Sequence, residues 1–359
     1  MTPMHQHLLR PLIAIMLLGF VACTSTNNTN EQPSNDASVS DTQPKESPIE
    51  TAPRKDYPLD DVLRFNHIQV LGTHNSYHIA PKQGVADWKY THSPLETQLQ
   101  KEGVRQFELD LYWGVKDDFF LVQHVPVLDP NSHCYSFKEC LTQIKAWSDV
   151  HTQHIPITIL IEPKGASSYP DKPYEKMSEE VLSVFPKERV LKPDDVRGSH
   201  PDLKTALAKD GWPTLGQIRG KVMFVLMLTG EARDAYTNGG KHLHEKLMFV
   251  TAEQDAPYAA VAKMDGPEGD NTAKIQQAAK AGLLIRTRAD ADLDASKEKN
   301  ESRLSAALAS GAHWLSTDFP NRQADSGYMA TVPKGTPARC NPVTAPPSCN
   351  SKAIEDTTP

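Results

Sequence analysis

The sequence predicts an α/β fold, a single (β/α)8 TIM barrel, and three observations carry that expectation. The body from about residue 58 to 325 has the usual length for one such barrel. Eight short apolar, β-branched runs recur within it, at 68–71, 104–111, 119–122, 157–161, 222–228, 247–250, 283–285 and 313–316. Between several of them lie stretches of helical spacing, and this alternation argues for parallel strands joined by crossover helices. Pattern alone also admits an open, doubly wound sheet. No internal repeat is present.

Residues 1–23 read as an export signal. His5, His7 and Arg10 precede the apolar run 12–21, which is too short for a stable anchor. Ala22-Cys23 follows, similar to a bacterial lipoprotein cleavage site, with Phe20 where leucine is usual. The expectation is an exported protein held at a periplasmic or cell-surface membrane through Cys23, otherwise a secreted one. Residues 24–57 are Thr-, Ser-, Asn- and Pro-rich and too poor in apolar groups to offset the cost of ordering. Such a tether spans roughly 30 Å r.m.s. and lets the body reach a lipid surface.

The runs then follow one another. The first, 68–71, leads into His74 and Asn75. The second carries Glu108 and Asp110, the third ends at His124, and the fourth closes on Glu162. Helical spacing follows at 137–150, 174–185, 201–209, 272–281 and 299–310. Residues 326–359 form a Pro- and Cys-containing strap and tail. Besides Cys23 there are Cys134, Cys140, Cys340 and Cys349, an even number that in an exported chain reads as two disulfides. Pairing neighbours, Cys134 with Cys140 and Cys340 with Cys349, closes two small loops; other pairings stay open, and the spacings suit no structural zinc motif.

The chain of 359 residues has 38 basic and 45 acidic side chains and a formal net charge of −7. That is a soluble globular composition without the basic bias that nucleic acid requires. In a barrel, reactive groups sit where strands pass into loops at their C-terminal ends, and every candidate above lies there. Glu108 and Asp110 are two apart, so they share one face of their strand, while Phe107, Leu109 and Leu111 face the outer helices. A carboxylate after so apolar a run as 157–161 is costly unless paired or metal-bound. Lys164 offers Glu162 a local ion pair. Three converging carboxylates repel one another, and a divalent cation removes that repulsion. With the Asn75 amide as a neutral fourth ligand, the set Asn75, Glu108, Asp110 and Glu162 favours Ca2+ over Mg2+.

His74 and His124 flank this cluster and can exchange protons near neutrality. His78 and His133 lie near the mouth without an assigned role; His151, His154 and His200 read as structural. Arg286 and Arg288 share a strand face suited to a phosphate or ring hydroxyls, or to ion pairs with Asp290 or Asp292. Lys164 is a further phosphate contact, and Asp318 is placed to orient one of these groups.

Taken together, THNSYH, GVRQFELDLYWG, FLVQH, ITILIEPKG, WPTLGQIRGKVMFVL, LLIRTRADAD and WLSTDFP resemble the bacterial calcium-dependent phosphoinositide-specific phospholipase C-like family, from about residue 66 to 320. The resemblance implies a distorted barrel of the PLC-like phosphodiesterase type. It implies calcium on Asn75, Glu108, Asp110 and Glu162 and a catalytic pair at His74 and His124. The implied reaction is attack of an inositol 2-hydroxyl on phosphorus with loss of diacylglycerol, so the implied partner is a phospholipid or another phosphodiester. A glycerophosphodiester phosphodiesterase is the nearest rival, but its His-Arg-Gly at the first strand is absent. A lipid- or sugar-phosphate-binding lipoprotein on a catalytically dead barrel is a reading from another class.

Overall fold

The computed structural model describes residues 55–84, 88–290, 297–323, 326–335 and 337–356. The expected export signal, Cys23, nearly all of the expected tether and Asp292 lie outside them. The strands are β1 (Ile68–Thr73), β2 (Val104–Gly114), β3 (Phe119–Val122), β4 (Ile157–Pro163), β5 (Val190–Leu191), β6 (Val222–Leu226), β7 (Phe249–Val250), β8 (Val261–Lys263), β9 (Leu284–Arg288), β10 (Trp314–Thr317) and β11 (Ala338–Cys340). The main helices are α1 (Leu95–Gln100), α2 (Phe137–Val150), α3 (Pro173–Val184), α4 (Pro193–Arg197), α5 (Leu203–Lys209), α6 (Leu215–Ile218), α7 (Gly230–Tyr236), α8 (Asp270–Lys280) and α9 (Lys297–Ser310).

Every residue of β1, β6 and β10 is buried, as strands covered on both faces must be. Parallel pairing runs β6–β4–β2–β1–β10–β9–β8, and β7 adds to β6. One bridge between Thr251, just past β7, and Val261 of β8 completes the ring. The result is a distorted (β/α)8 barrel with its thinnest seam between the two-residue β7 and the three-residue β8.

The expected third barrel strand, 119–122, is not one of the eight. β3 runs antiparallel to β2, with Val122 opposite Leu111 and Phe119 opposite Gly114, so it is the return arm of a hairpin. An apolar run reports coverage and not direction, which is why the sequence misplaced this strand in the barrel. The eighth barrel strand is β8, whose three residues, Val-Ala-Lys, give no periodicity to read. His124 therefore reaches the mouth from the hairpin rather than from a barrel strand.

The outer layer forms for ordinary reasons. Ser136 caps α2 by accepting from Glu139 N at 3.1 Å, and Phe137, Cys140, Leu141, Ile144 and Trp147 make one buried stripe at helical spacing. The neighbouring disulfides are the ones formed, Cys134–Cys140 and Cys340–Cys349. The first ties the start of α2 to the segment after β3. β11 pairs antiparallel with the lower half of β1. Beyond it Ile354 is fully buried, and Glu355 receives Arg105 through Nη2 at 2.6 Å and Nε at 3.2 Å, and Ile155 N at 3.0 Å. None of the described helices is long and apolar enough to cross a membrane.

Glu180 of α3 holds the hairpin. Its Oε1 accepts from Phe120 N at 2.9 Å, while Oε2 is buried without a partner. Burial pushes this carboxyl up to about 7, against the Phe120 hydrogen bond and Lys138. The folded state thus binds the proton more tightly than the unfolded chain. Its contribution to stability is complete below the ordinary carboxylate range and is lost as pH rises through about 7. Glu180→Gln is expected to flatten the fall in Tm between pH 5 and pH 8 relative to the unaltered protein, read by differential scanning fluorimetry. Identical pH slopes would show that Glu180 ionises in the fold as it does in water.

Candidate functional site

The turn after β1 is locked before it contributes any chemistry. Thr73 Oγ1 lies 2.7 Å from Ser76 Oγ and 2.8 Å from Gln98 Oε1 in a buried network. Ser76 N donates to Glu108 O at 2.9 Å, and Glu108 N donates to Ser76 Oγ at 2.8 Å. The turn is thereby stitched to β2 at Glu108 itself. Asn75 turns the chain with φ 45°, a left-handed conformation that asparagine tolerates better than most residues. It is buried, with its side chain beside the Tyr90 hydroxyl. Gly72 is required by the packing beneath, because a Cβ there would run into the Gln106 side chain.

Gln106, Glu108 and Asp110 face the barrel interior. Glu108 meets Arg286 on β9, which lies three strands away around the ring, so the contact crosses the bore. Glu108, Asp110 and Glu162 each bring a carboxylate oxygen within 4.8 Å of the others. Glu108 and Asp110 are about 1% exposed, and Glu108 Oε1 and both Asp110 oxygens are buried without a hydrogen-bond partner of good geometry. Burial, reinforced by Glu162 and Glu108, pushes Asp110 well above the carboxylate range despite Lys164. Burial also acts to raise Glu162, but its hydrogen bond and charge pairing with Lys164 prevail and hold it low. Three convergent hard oxygen donors, two of them on buried strand residues, fit a divalent cation of the calcium type.

Three cations already face these groups. Lys164 Nζ lies 2.5 Å from Glu162 Oε1 and 3.4 Å from Asp110 Oδ2. Arg286 reaches Glu108 Oε2 at 2.6 Å through Nη2 and Asp265 through Nη1. Arg288 donates to Asp318 Oδ2 at 2.5 Å and through Nε to Asp290 O at 2.9 Å. The arginines thus share the interior face that their spacing predicts, each with carboxylate partners. A cleft of about 670 Å³ opens beside Glu162 and includes Arg233, Glu253, Lys263 and Lys274 in its wall.

His74 stands between two of these clusters. Its Nδ1 lies 2.9 Å from Asp318 Oδ1 and its Nε2 3.8 Å from Glu108 Oε1. Burial is the largest influence on the ring and Arg288 adds to it; together they outweigh Asp318 and Glu108 and hold His74 below its ordinary pKa. Arg288 and His74 overcome burial to keep Asp318 strongly ionised. Asp290 supports this pair from below, accepting from Asp318 N at 2.9 Å and from Thr317 and Tyr328 hydroxyls.

His124 has an aspartate of its own. Its Nδ1 lies 2.8 Å from Asp129 Oδ2, its carbonyl accepts from Tyr112 OH at 3.1 Å, and the Trp88 ring packs edge-on at 5.4 Å. Asp129 and Asp265 are the acidic groups at the mouth that sequence reasoning missed. Asp129 lies five residues past His124 between Pro126 and Pro130, where composition reads as a turn. Asp265 follows the unread β8.

The family model described as "Phosphoinositide phospholipase C, Ca2+-dependent" matches residues 63–120 and 114–342. Among solved structures, the chain is similar to a calcium-dependent phosphoinositol-specific phospholipase C from the Gram-negative bacterium Pseudomonas sp. in its apo form. That match has TM-score 0.57 and 20% identity and covers 79% of this chain and 97% of that one. A myo-inositol complex of the Pseudomonas protein matches with TM-score 0.57 and 20% identity over 82% of this chain and 100% of that one. A Ca2+-dependent phosphatidylinositol-specific phospholipase C from Streptomyces antibioticus matches with TM-score 0.54 and 18% identity, covering 72% of this chain and 96% of that one. None of the curated protein sequences matches.

Proposed function

The chain belongs to the Ca2+-dependent phosphoinositide phospholipase C family, and on that premise we propose that it cleaves phosphatidylinositol-type lipids at the glycerol side of the phosphodiester. The observation that carries the reading is the meeting of Glu108, Asp110 and Glu162 with His74 beside Glu108, together with two histidines, His74 and His124, each anchored by its own aspartate. Asn75, Glu108, Asp110 and Glu162 would hold Ca2+, which when bound supplies positive charge for the phosphate and acidifies the attacking hydroxyl. Glu162 has the most exposed carboxylate of the three, with its side chain 29% exposed against 1% for Asp110. It takes the proton of the inositol 2-hydroxyl.

His74, fixed by Asp318, turns Nε2 toward the phosphoryl oxygens and stabilises the phosphorane. The negative charge of an arriving phosphodiester opposes the burial that holds this ring neutral in the protein alone, so the ring gains its second proton with the substrate. His124 protonates the departing glycerol oxygen. Lys164, Arg286 and Arg288, paired in the protein alone with Asp110 and Glu162, with Glu108 and with Asp318, contact the phosphate or ring hydroxyls. The expected product is an inositol cyclic phosphate, formed at a membrane to which Cys23 tethers the enzyme.

The test is a panel of phosphatidylinositol, other phospholipids and glycerophosphodiesters, with calcium or with chelator. Calcium-dependent release of inositol phosphate and diacylglycerol is expected. Glycerol phosphate released from deacylated substrate would favour the glycerophosphodiesterase reading, and affinity without turnover would make the barrel a binding protein.

A further inference from the structure

Asp129 is wholly buried, yet one of its oxygens serves two histidines. Oδ2 lies 2.8 Å from His124 Nδ1 and 2.8 Å from His78 Nε2, while Oδ1 has no partner. The loop that carries it closes on itself: Val125 N donates to Asp129 O at 3.2 Å and Asp129 N to Val125 O at 2.8 Å. This bridge sets the aspartate back against the histidine five residues earlier. His78 is 1% exposed, with its ring 4.4 Å from Tyr90 and 6.0 Å, edge-on, from His124. Its Nδ1 faces Tyr90 O at 2.9 Å, and a carbonyl can only accept, so Nδ1 carries a hydrogen. Nε2 and the Asp129 carboxylate then share a proton between them. The atoms of this trio that face one another also lie within 4.8 Å, a spacing that would suit a metal, but here the contacts are hydrogen bonds among the groups themselves.

We propose that Asp129 is the positioning residue of the leaving-group step and that His78 is its anchor. The general acid is then one end of a His78–Asp129–His124 relay. The inference rests on the reading of His124 as general acid. A carboxylate accepting at Nδ1 fixes both the ring plane and the tautomer, so Nε2 is the nitrogen that faces substrate, and it steadies the imidazolium that must deliver the proton. His78 matters because a buried carboxylate with a single donor is poorly compensated. Held between Tyr90 O and Asp129, it keeps Oδ2 aimed at His124 instead of at the protein surface. In the step itself, the bond from phosphorus to the glycerol oxygen breaks as the Nε2 proton moves to that oxygen. The proton between Asp129 and His78 stays between them throughout.

The experiment compares two substrates. One is phosphatidylinositol, whose alkoxide leaves only with a proton. The other is the p-nitrophenyl ester of inositol phosphate, whose phenolate leaves without one. For Asp129→Asn, kcat on the lipid is expected to fall by about 10²-fold or more with KM within threefold, while the nitrophenyl ester loses less than about 10-fold. His78→Phe, which keeps the ring volume, is expected to follow the same pattern more weakly. Asp129→Asn added to His124→Ala is expected to cost nothing further on the lipid. Equal losses on both substrates, or unchanged lipid turnover in Asp129→Asn, would overturn the relay. The tautomer gives a readout independent of turnover: 15N–1H NMR is expected to show His124 protonated at Nδ1 in the unaltered protein and mixed in Asp129→Asn. A tautomer that ignores the substitution would also overturn the relay. If the unaltered protein turns over neither substrate while the tautomer responds, the phospholipase reading and the leaving-group role fail together, and only the positioning of His124 by Asp129 stands.

Discussion

Asp110→Asn is expected to abolish the calcium response and, at the same time, to raise the Tm of the metal-free protein. The two effects have one cause. Asp110 is a buried carboxylate with two oxygens lacking hydrogen bonds of good geometry and two acidic neighbours, and burial already drives it toward its neutral form. In metal-free protein that arrangement costs stability, which a neutral amide of the same shape relieves. With calcium, the same carboxylate is one of the charged ligands, and its loss is expected to weaken binding by on the order of 10²-fold or more. Thermal melts with and without calcium, together with terbium luminescence titration, check both parts. A variant that keeps the full calcium-induced rise in Tm would remove Asp110 from the ligand set.

His74→Ala is expected to lower kcat on phosphatidylinositol by at least about 10²-fold while calcium affinity changes only a few-fold. The ring is 2.9 Å from Asp318 and makes no direct ligand-distance contact with Glu108, at 3.8 Å. Its removal leaves Asp318 still paired with Arg288 at 2.5 Å, so the mouth is expected to stay folded. Turnover near that of the unaltered protein would take His74 out of the chemistry. An equal loss of calcium affinity would instead make it a support of the carboxylate cluster.

Much of this molecule was legible before any coordinates. Period-two parity put Glu108 and Asp110 on one face, and the structure places both in the bore. The apolar run at 157–161 with a terminal carboxylate implied compensation, and Lys164 and the other carboxylates are there. Direction was not legible: β3 carries the same apolar signal as a barrel strand, and only its pairing with β2 shows it turning back. Nor were partners distant in sequence. Arg286 read as a contact for phosphate or ring hydroxyls or as a partner of Asp290 or Asp292, whereas its carboxylates are Glu108, 178 residues upstream, and Asp265, 21 residues upstream. Asp129 was hidden because a proline-flanked turn gives no sign of which way its side chain points.

The clamp between Arg105 and Glu355 has a consequence for synthesis. These residues are 250 positions apart, and Arg105 sits on the strand that carries Glu108 and Asp110. A nascent chain emerging from the ribosome must hold that guanidinium unmatched until Glu355 has been translated. Assembly of the barrel floor is therefore expected to wait until Glu355 has left the ribosome, and an intermediate stalled before Glu355 would be a substrate for chaperones rather than an early working enzyme.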